Sequence, residues 1–135
     1  MSSAEAIMSQ GILIADDSRN VRQAIHNYLA DRNFHVCGEA VDGEDVIEKA
    51  RELQPDLVLM DLAMPGRNGL DAASVVKDTI PNVRIVLFTM YSGAVSKAFT
   101  SLKNVDAMVD KAEGMDKLAE CVEGLIGPPA ETASN

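Results

Sequence analysis

Tryptophan is absent, aromatic residues make up 4% of the 135 positions, and cysteine occurs twice. Cys37 and Cys121 cannot form the disulfide framework that staples small secreted domains, and such sparse usage suits a reducing compartment. Both read as small apolar packing residues. Cations are scarce as well: 12 Lys and Arg stand against 21 Asp and Glu, a net charge of −9. A nucleic-acid groove needs a basic face that releases counterions, so direct nucleic-acid binding is not expected. Apolar runs such as Ile12-Leu13-Ile14-Ala15 fall far short of the ~20 residues that span a bilayer, which excludes a membrane role. Met1–Gln10 has no basic segment followed by an apolar stretch, so no secretory signal is read and the chain is expected to be cytoplasmic.

What is present is a composition of 47% hydrophobic and 24% charged residues, that of one folded domain at roughly 150 residues per domain. Short apolar runs alternate with longer helical patterns. The runs are Ile12–Ala15, His35–Ala40, Leu57–Met60, Ile85–Phe88 and Ala107–Val109, starting 22 to 28 residues apart, the length of a strand plus a crossover helix. The first, third and fourth are apolar without alternation, as strands covered on both faces are.

A period of 3.6 marks the helices between them. The first carries Val21, Ile25, Tyr28 and Leu29 behind a Ser18 cap. The second follows Asp42-Gly43, carries Val46, Ile47, Ala50 and Leu53, and ends before Pro55. A third runs from about Leu70 to Thr79, and a fourth around Gly93–Lys103 carries Val95, Ala98, Phe99 and Leu102. The last carries Met115, Leu118, Ala119, Val122, Leu125 and Ile126 and stops at Gly127-Pro128-Pro129. Five βα units imply an α/β fold, a flavodoxin-like (βα)5 three-layer sandwich with a parallel sheet in the order 2-1-3-4-5. Residues 1–10 read as an N-terminal extension, 11–126 as the domain, and 127–135 as a flexible tail or linker stub.

In such a sheet the crevice opens at the carboxyl ends of strands one and three. Strand one runs into Asp16-Asp17, strand three into Asp61, strand four into Thr89 and strand five into Asp110-Lys111. A lone Asp after a strand is usually a turn former or helix cap. Three carboxylates at one point are different, because two like charges ~4 Å apart repel by roughly 4 kcal/mol at an effective dielectric near 20. A cation or raised pKa values must relieve them. Lys111 supplies one positive charge, and Mg²⁺ fits the remainder: it is hard, takes oxygen ligands and uses few carboxylates. A carboxylate beside it can accept a phosphoryl group as an acyl phosphate, while Lys111 and Thr89 bind the equatorial oxygens.

IADDS at 14–18, DLVLMDLAMPGRNGL at 56–70, VLFTM at 86–90 and Lys111 together resemble the receiver domain of two-component response regulators, over roughly Gly11–Ile126. The spacings of 44 residues from Asp17 to Asp61 and 22 from Thr89 to Lys111 match that family's pattern. The resemblance implies that Asp61 is the phosphoacceptor. It makes Asp17 a direct Mg²⁺ ligand, Asp16 an outer one through water, and the Ala63 backbone carbonyl a third protein ligand. It further implies that Thr89 is a switch hydroxyl that moves to the phosphoryl oxygen, that Lys111 pairs with the phosphorylated aspartate, and that Pro65, Gly66 and Gly69 shape the loop. FHVCGEAVDGE at 34–44 and a lysine followed by Ala112 rather than proline look most like receivers of helix-turn-helix transcription regulators, and no cis peptide is expected after Lys111. The implied partners are a sensor histidine kinase or phosphotransfer protein, a downstream output domain or protein, and a second copy of the chain on phosphorylation.

Some positions depart from the pattern. Met108 stands where receivers usually carry Tyr or Phe, the ring that turns inward as the threonine moves; a flexible Met specifies rotamers poorly. Met90, Tyr91 and the apolar Ala63 predict a long-lived acyl phosphate, because bulk restricts water and nothing orients it. His26, mid-helix, reads as a surface or partner contact and His35 as an edge-strand residue. Met60 and Met115 follow core patterns. Arg19 and Arg22 either meet a kinase or solvate the first helix. From Asp106 to Asn135 seven acidic residues face two lysines, a solvated face open to a basic partner.

Three other functions compete. An aspartate-nucleophile hydrolase needs a second Asp two residues after the nucleophile, where Ala63 stands. A flavodoxin-type cofactor binder needs a phosphate loop rich in Ser, Thr and Gly, where DDSRN sets two negative charges. A non-phosphorylated dimerisation module has no use for an intact acidic site and its lysine.

Overall fold

The computed structural model describes residues 10–90 and 103–129. Its elements in chain order are β1 (Gly11–Ala15), α1 (Arg19–Asp31), β2 (His35–Ala40), α2 (Gly43–Leu53), β3 (Leu57–Met60), α3 (Gly69–Thr79), β4 (Arg84–Thr89), β5 (Ala107–Asp110), a 3₁₀ turn (Lys111–Glu113) and α4 (Met115–Ile126). The strands form one parallel sheet in the order β2-β1-β3-β4-β5, as the alternation of runs and helices predicts. The helix expected around Gly93–Lys103 falls almost wholly outside the described residues, as do Tyr91, most of the N-terminal extension and the end of the tail.

Local chemistry starts and stops the helices. Ser18 accepts the Val21 N–H at 3.3 Å, Asp42 the Asp45 N–H at 2.8 Å, and Asn68 the Asp71 N–H at 2.9 Å, each filling an orphan donor of a first turn. α2 ends at Gln54 in the left-handed region (φ 50°), just before Pro55, and α4 ends at Gly127 with φ 89°.

Strand alternation splits the interior into two layers. Leu13, Ala15, Val58, Met60, Ile85 and Leu87 face α2 and α3, packing with Val46, Ala50, Ala72 and Val76. Ile12, Ile14, Leu57, Leu59, Val86 and Phe88 face the other way, packing with Ile25 and Leu29 of α1 and Leu118 and Val122 of α4. Met60 is fully buried and Met115 packs at the margin of the second layer, as their patterns predict. Leu53, expected on the core face of α2, is 40% exposed because it lies at the last turn, over Gly38. His35 is exposed on the edge strand, and both cysteines are half-buried with thiols pushed up by burial, as inert packing residues are.

The loop after β3 is held by two glycines. A Cβ on Gly69 would lie 2.6 Å from the Asp61 carbonyl oxygen, and one on Gly43 would lie 2.1 Å from the Arg67 carbonyl oxygen. Backbone thus touches backbone at both ends of the loop, and Arg67 Nε donates to Glu44 Oε2 at 2.8 Å on the same side. Gly43→Ala should lower stability by about 1–3 kcal/mol, despite the better helix propensity of alanine. A urea midpoint equal to the parent's would show that the loop is not seated on α2.

Candidate functional site

The strand register brings the acidic residues together. Ala15 pairs with Met60 across β1 and β3, so the next rung of the ladder holds Asp16 and Asp61, on strands ~4.8 Å apart. Asp16 N–H donates to the Ala40 carbonyl at 3.1 Å and Asp61 N–H to the Ala15 carbonyl at 2.9 Å, tying both to the sheet as the chain leaves it. β5 ends at Asp110, paired with Thr89, and Lys111 follows. Asp110 turns away and caps the 3₁₀ turn, accepting the Ala112 N–H at 2.9 Å.

One carboxylate oxygen from each of Asp16, Asp17 and Asp61 lies within 4.8 Å of the others; Asp16 and Asp61 are buried and Asp17 is exposed. Lys111 Nζ stands between the buried pair, 2.7 Å from Asp16 Oδ2 and 3.2 Å from Asp61 Oδ2. Asp61 Oδ1 accepts the Thr89 hydroxyl at 2.7 Å and the Ala63 N–H at 3.2 Å, while Asp16 Oδ1 accepts the Ser18 N–H at 2.9 Å. Of the residues expected at the strand tips all but Asp110 therefore meet at one point: Asp16, Asp17, Asp61, Thr89 and Lys111, with the Ala63 backbone alongside. Asp61 carries donors on both oxygens, a carboxylate held by neutral and charged partners at the floor of an acidic cleft.

The charges do not balance. Burial pushes the Asp16 carboxyl up, outweighing the hydrogen bonds from Lys111 and Ser18. The Lys111 ammonium is also held above its usual range: burial opposes its charge, but Asp16 and Asp61 more than offset that. The two members of this ion pair differ because the Asp16 side chain is 3% exposed, against 19% for Lys111, and has to share its cation. Three carboxylates facing one ammonium leave two negative charges, and clustered oxygen donors with that deficit suit a hard divalent cation.

Arg22 occupies a place the sequence does not foretell. Arg19 is exposed, but the Arg22 side chain is 13% exposed and neither solvates the helix nor faces outward. Its Nη1 donates to the Asp16 carbonyl at 2.8 Å and its Nε to Glu39 Oε1 at 3.0 Å. His26 is at the surface, as expected, with Nδ1–H donating to Glu39 Oε2 at 2.8 Å. Burial acts to raise the Glu39 carboxyl, yet these partners hold it below its ordinary value. The available signal was an arginine in the first turn after an acidic pair, close enough to reach back.

A carboxyl with a raised pKa stabilises the fold below its ordinary value and loses that contribution as pH rises through the shifted one. At neutral pH ionised Asp16 therefore costs stability. Asp16→Asn should raise the melting temperature in metal-free buffer by a few degrees, for a gain on the order of 1 kcal/mol. A lower melting temperature would show that pairing with Lys111 outweighs burial.

Comparison with known proteins agrees with this geometry. Residues 12–123 match the response regulator receiver domain family. The response regulator protein VraR of Staphylococcus saprophyticus is 39% identical over 114 residues, covering 82% of this chain and 54% of that protein. The chemotaxis protein CheY of Thermotoga maritima is 36% identical over 80 residues, 59% of this chain and 67% of CheY. The isolated receiver (REC) domain of RcsB from Salmonella enterica serovar Typhimurium, solved with the phosphomimetic BeF3⁻, superposes with a TM-score of 0.80 at 25% identity, over 92% of this chain and 93% of that one. A LuxR-family DNA-binding response regulator from Staphylococcus aureus superposes at 0.74 with 27% identity, over 86% of this chain and 98% of that one. The chain spans about half the length of the VraR proteins it matches. Among the described residues no helix is long and apolar enough to cross a membrane. By sequence, fold and acidic site together, the chain belongs to the response regulator receiver domain family of two-component signalling.

Proposed function

We propose that Asp61 is the phosphoacceptor of a Mg²⁺-dependent switch, charged by a sensor histidine kinase or phosphotransfer protein. The observation that carries this reading is the set of donors on one buried carboxylate: Thr89 and Ala63 N–H on Oδ1, Lys111 on Oδ2. In the transfer, an Asp61 oxygen forms a bond to phosphorus as the P–N bond of a phosphohistidine breaks, its electron pair leaving with the imidazole. Asp61, the outer Asp16, the direct ligand Asp17 and the Ala63 carbonyl would hold Mg²⁺. When bound, the ion neutralises charge between the attacking carboxylate and the phosphoryl oxygens.

The protein's own groups do the rest. Lys111 and the Thr89 hydroxyl are already on Asp61, so each passes from a carboxylate oxygen to a phosphoryl oxygen by a short displacement. The resulting change at Thr89 is the event that biases a partner-binding surface between two states. Met108, half-buried on β5 against the α2–α3 layer, replaces an aromatic ring in that surface. An output domain or protein, or a second copy of the chain, receives the signal, and the chain is a phosphoprotein that takes part in its own phosphorylation and dephosphorylation.

Acetyl phosphate with Mg²⁺ should add one phosphoryl group to the chain and none to Asp61→Asn, read by intact mass because the chain has no Trp for fluorescence. Equal labelling of the variant would overturn the assignment. Mg²⁺ should raise the melting temperature of the parent, and Asp17→Asn should abolish that rise. The phosphoryl group should be long-lived. Met90 is 67% exposed, so the expectation rests chiefly on Ala63, whose side chain offers no polar atom to orient an attacking water. Loss of the phosphate within seconds in Mg²⁺ buffer would contradict it.

A further inference from the structure

The Asp16–Asp17 peptide sits where β1 leaves the sheet and its carbonyl has passed the end of the strand ladder. Arg22 reaches back from the first turn of α1 and takes that carbonyl with Nη1 at 2.8 Å. The guanidinium is itself aimed by Glu39 on Nε, at 3.0 Å, and Glu39 is held in turn by His26 at 2.8 Å. A planar fork pinned at two edges and 13% exposed fixes the peptide plane it touches.

That plane matters most for Asp17. The Asp16 carboxylate is clamped independently, by Lys111 and by the Ser18 N–H. Among the described residues no hydrogen bond or ion pair holds the Asp17 carboxylate, so the backbone that carries it, by setting its Cα–Cβ direction, decides which positions it can reach. We infer that Arg22 is a positioning residue for the divalent-cation site, setting the Asp16–Asp17 peptide so that the Asp17 carboxylate meets those of Asp16 and Asp61. The inference rests on the Mg²⁺ reading above. It assigns Arg22 no contact with the ion, the phosphoryl group or a kinase.

Geometry and charge make opposite predictions here. A guanidinium near the cleft repels a cation, so by charge alone its removal tightens Mg²⁺ binding. Loss of a positioning residue weakens it, typically by ~10-fold or more for a partner that orients a ligand. Arg22→Lys keeps the charge but has no fork to span Asp16 and Glu39; Arg22→Met loses the charge and the fork.

Mg²⁺ affinity measured by titration calorimetry on the full chain should fall by ~10-fold in both variants. Labelling by acetyl phosphate should show the same shift in the Mg²⁺ concentration for half-maximal rate and recover the parent's rate at saturating Mg²⁺. A lowered melting temperature with unchanged Mg²⁺ affinity would reduce Arg22 to a structural role and overturn the inference. So would tighter binding in Arg22→Met, or an Arg22→Lys that binds like the parent. A parent chain that binds no Mg²⁺ at all would overturn the metal reading itself, which separates that failure from one confined to the variants.

Discussion

Like charges forced together at the carboxyl edge of a parallel sheet set the terms for the rest of this molecule. Asp16 and Asp61 are buried side by side at the ends of neighbouring strands, Asp17 lies within 4.8 Å of both, and one ammonium serves the group. Such a cluster is costly in an empty fold, and burial raises the Asp16 carboxyl as a result. That uncompensated negative charge, carried on clustered oxygen donors, is what makes the cluster suited to a hard divalent cation.

The scaffold concentrates this tension without spreading it. Two apolar layers, one on each side of the sheet, hold the strands in register. The register alone aligns the tips of β1 and β3. The loop that follows Asp61 is pressed against α2 by close backbone contacts at Gly43 and Gly69, so the Ala63 N–H arrives on Asp61 from a fixed direction. Rigid surroundings of this kind let a small local displacement be felt as a change of packing.

Much of the site was legible in the chain because strand order follows from simple rules. Five apolar runs separated by helical patterns imply a parallel sheet, and a parallel sheet places its crevice where Asp16, Asp17, Asp61, Thr89 and Lys111 leave their strands. The web of Arg22, Glu39 and His26 was not legible. It joins α1 to β2 across a turn, and its partners depend on how a long side chain is folded back, which periodicity does not encode. Leu53 shows the same boundary: its spacing is that of a core residue, but the core ends before the helix does.

What the chain by itself determined is therefore the alternation of elements, the strand order and the identity of the residues at the strand tips, because these follow from periodicity and from the handedness of crossovers. Tertiary structure decided which oxygen each donor takes, that the Thr89 hydroxyl already lies on Asp61, and that Arg22 turns inward to the Asp16 carbonyl. Those choices depend on distances of a few ångströms between segments remote in sequence, and only packing sets such distances.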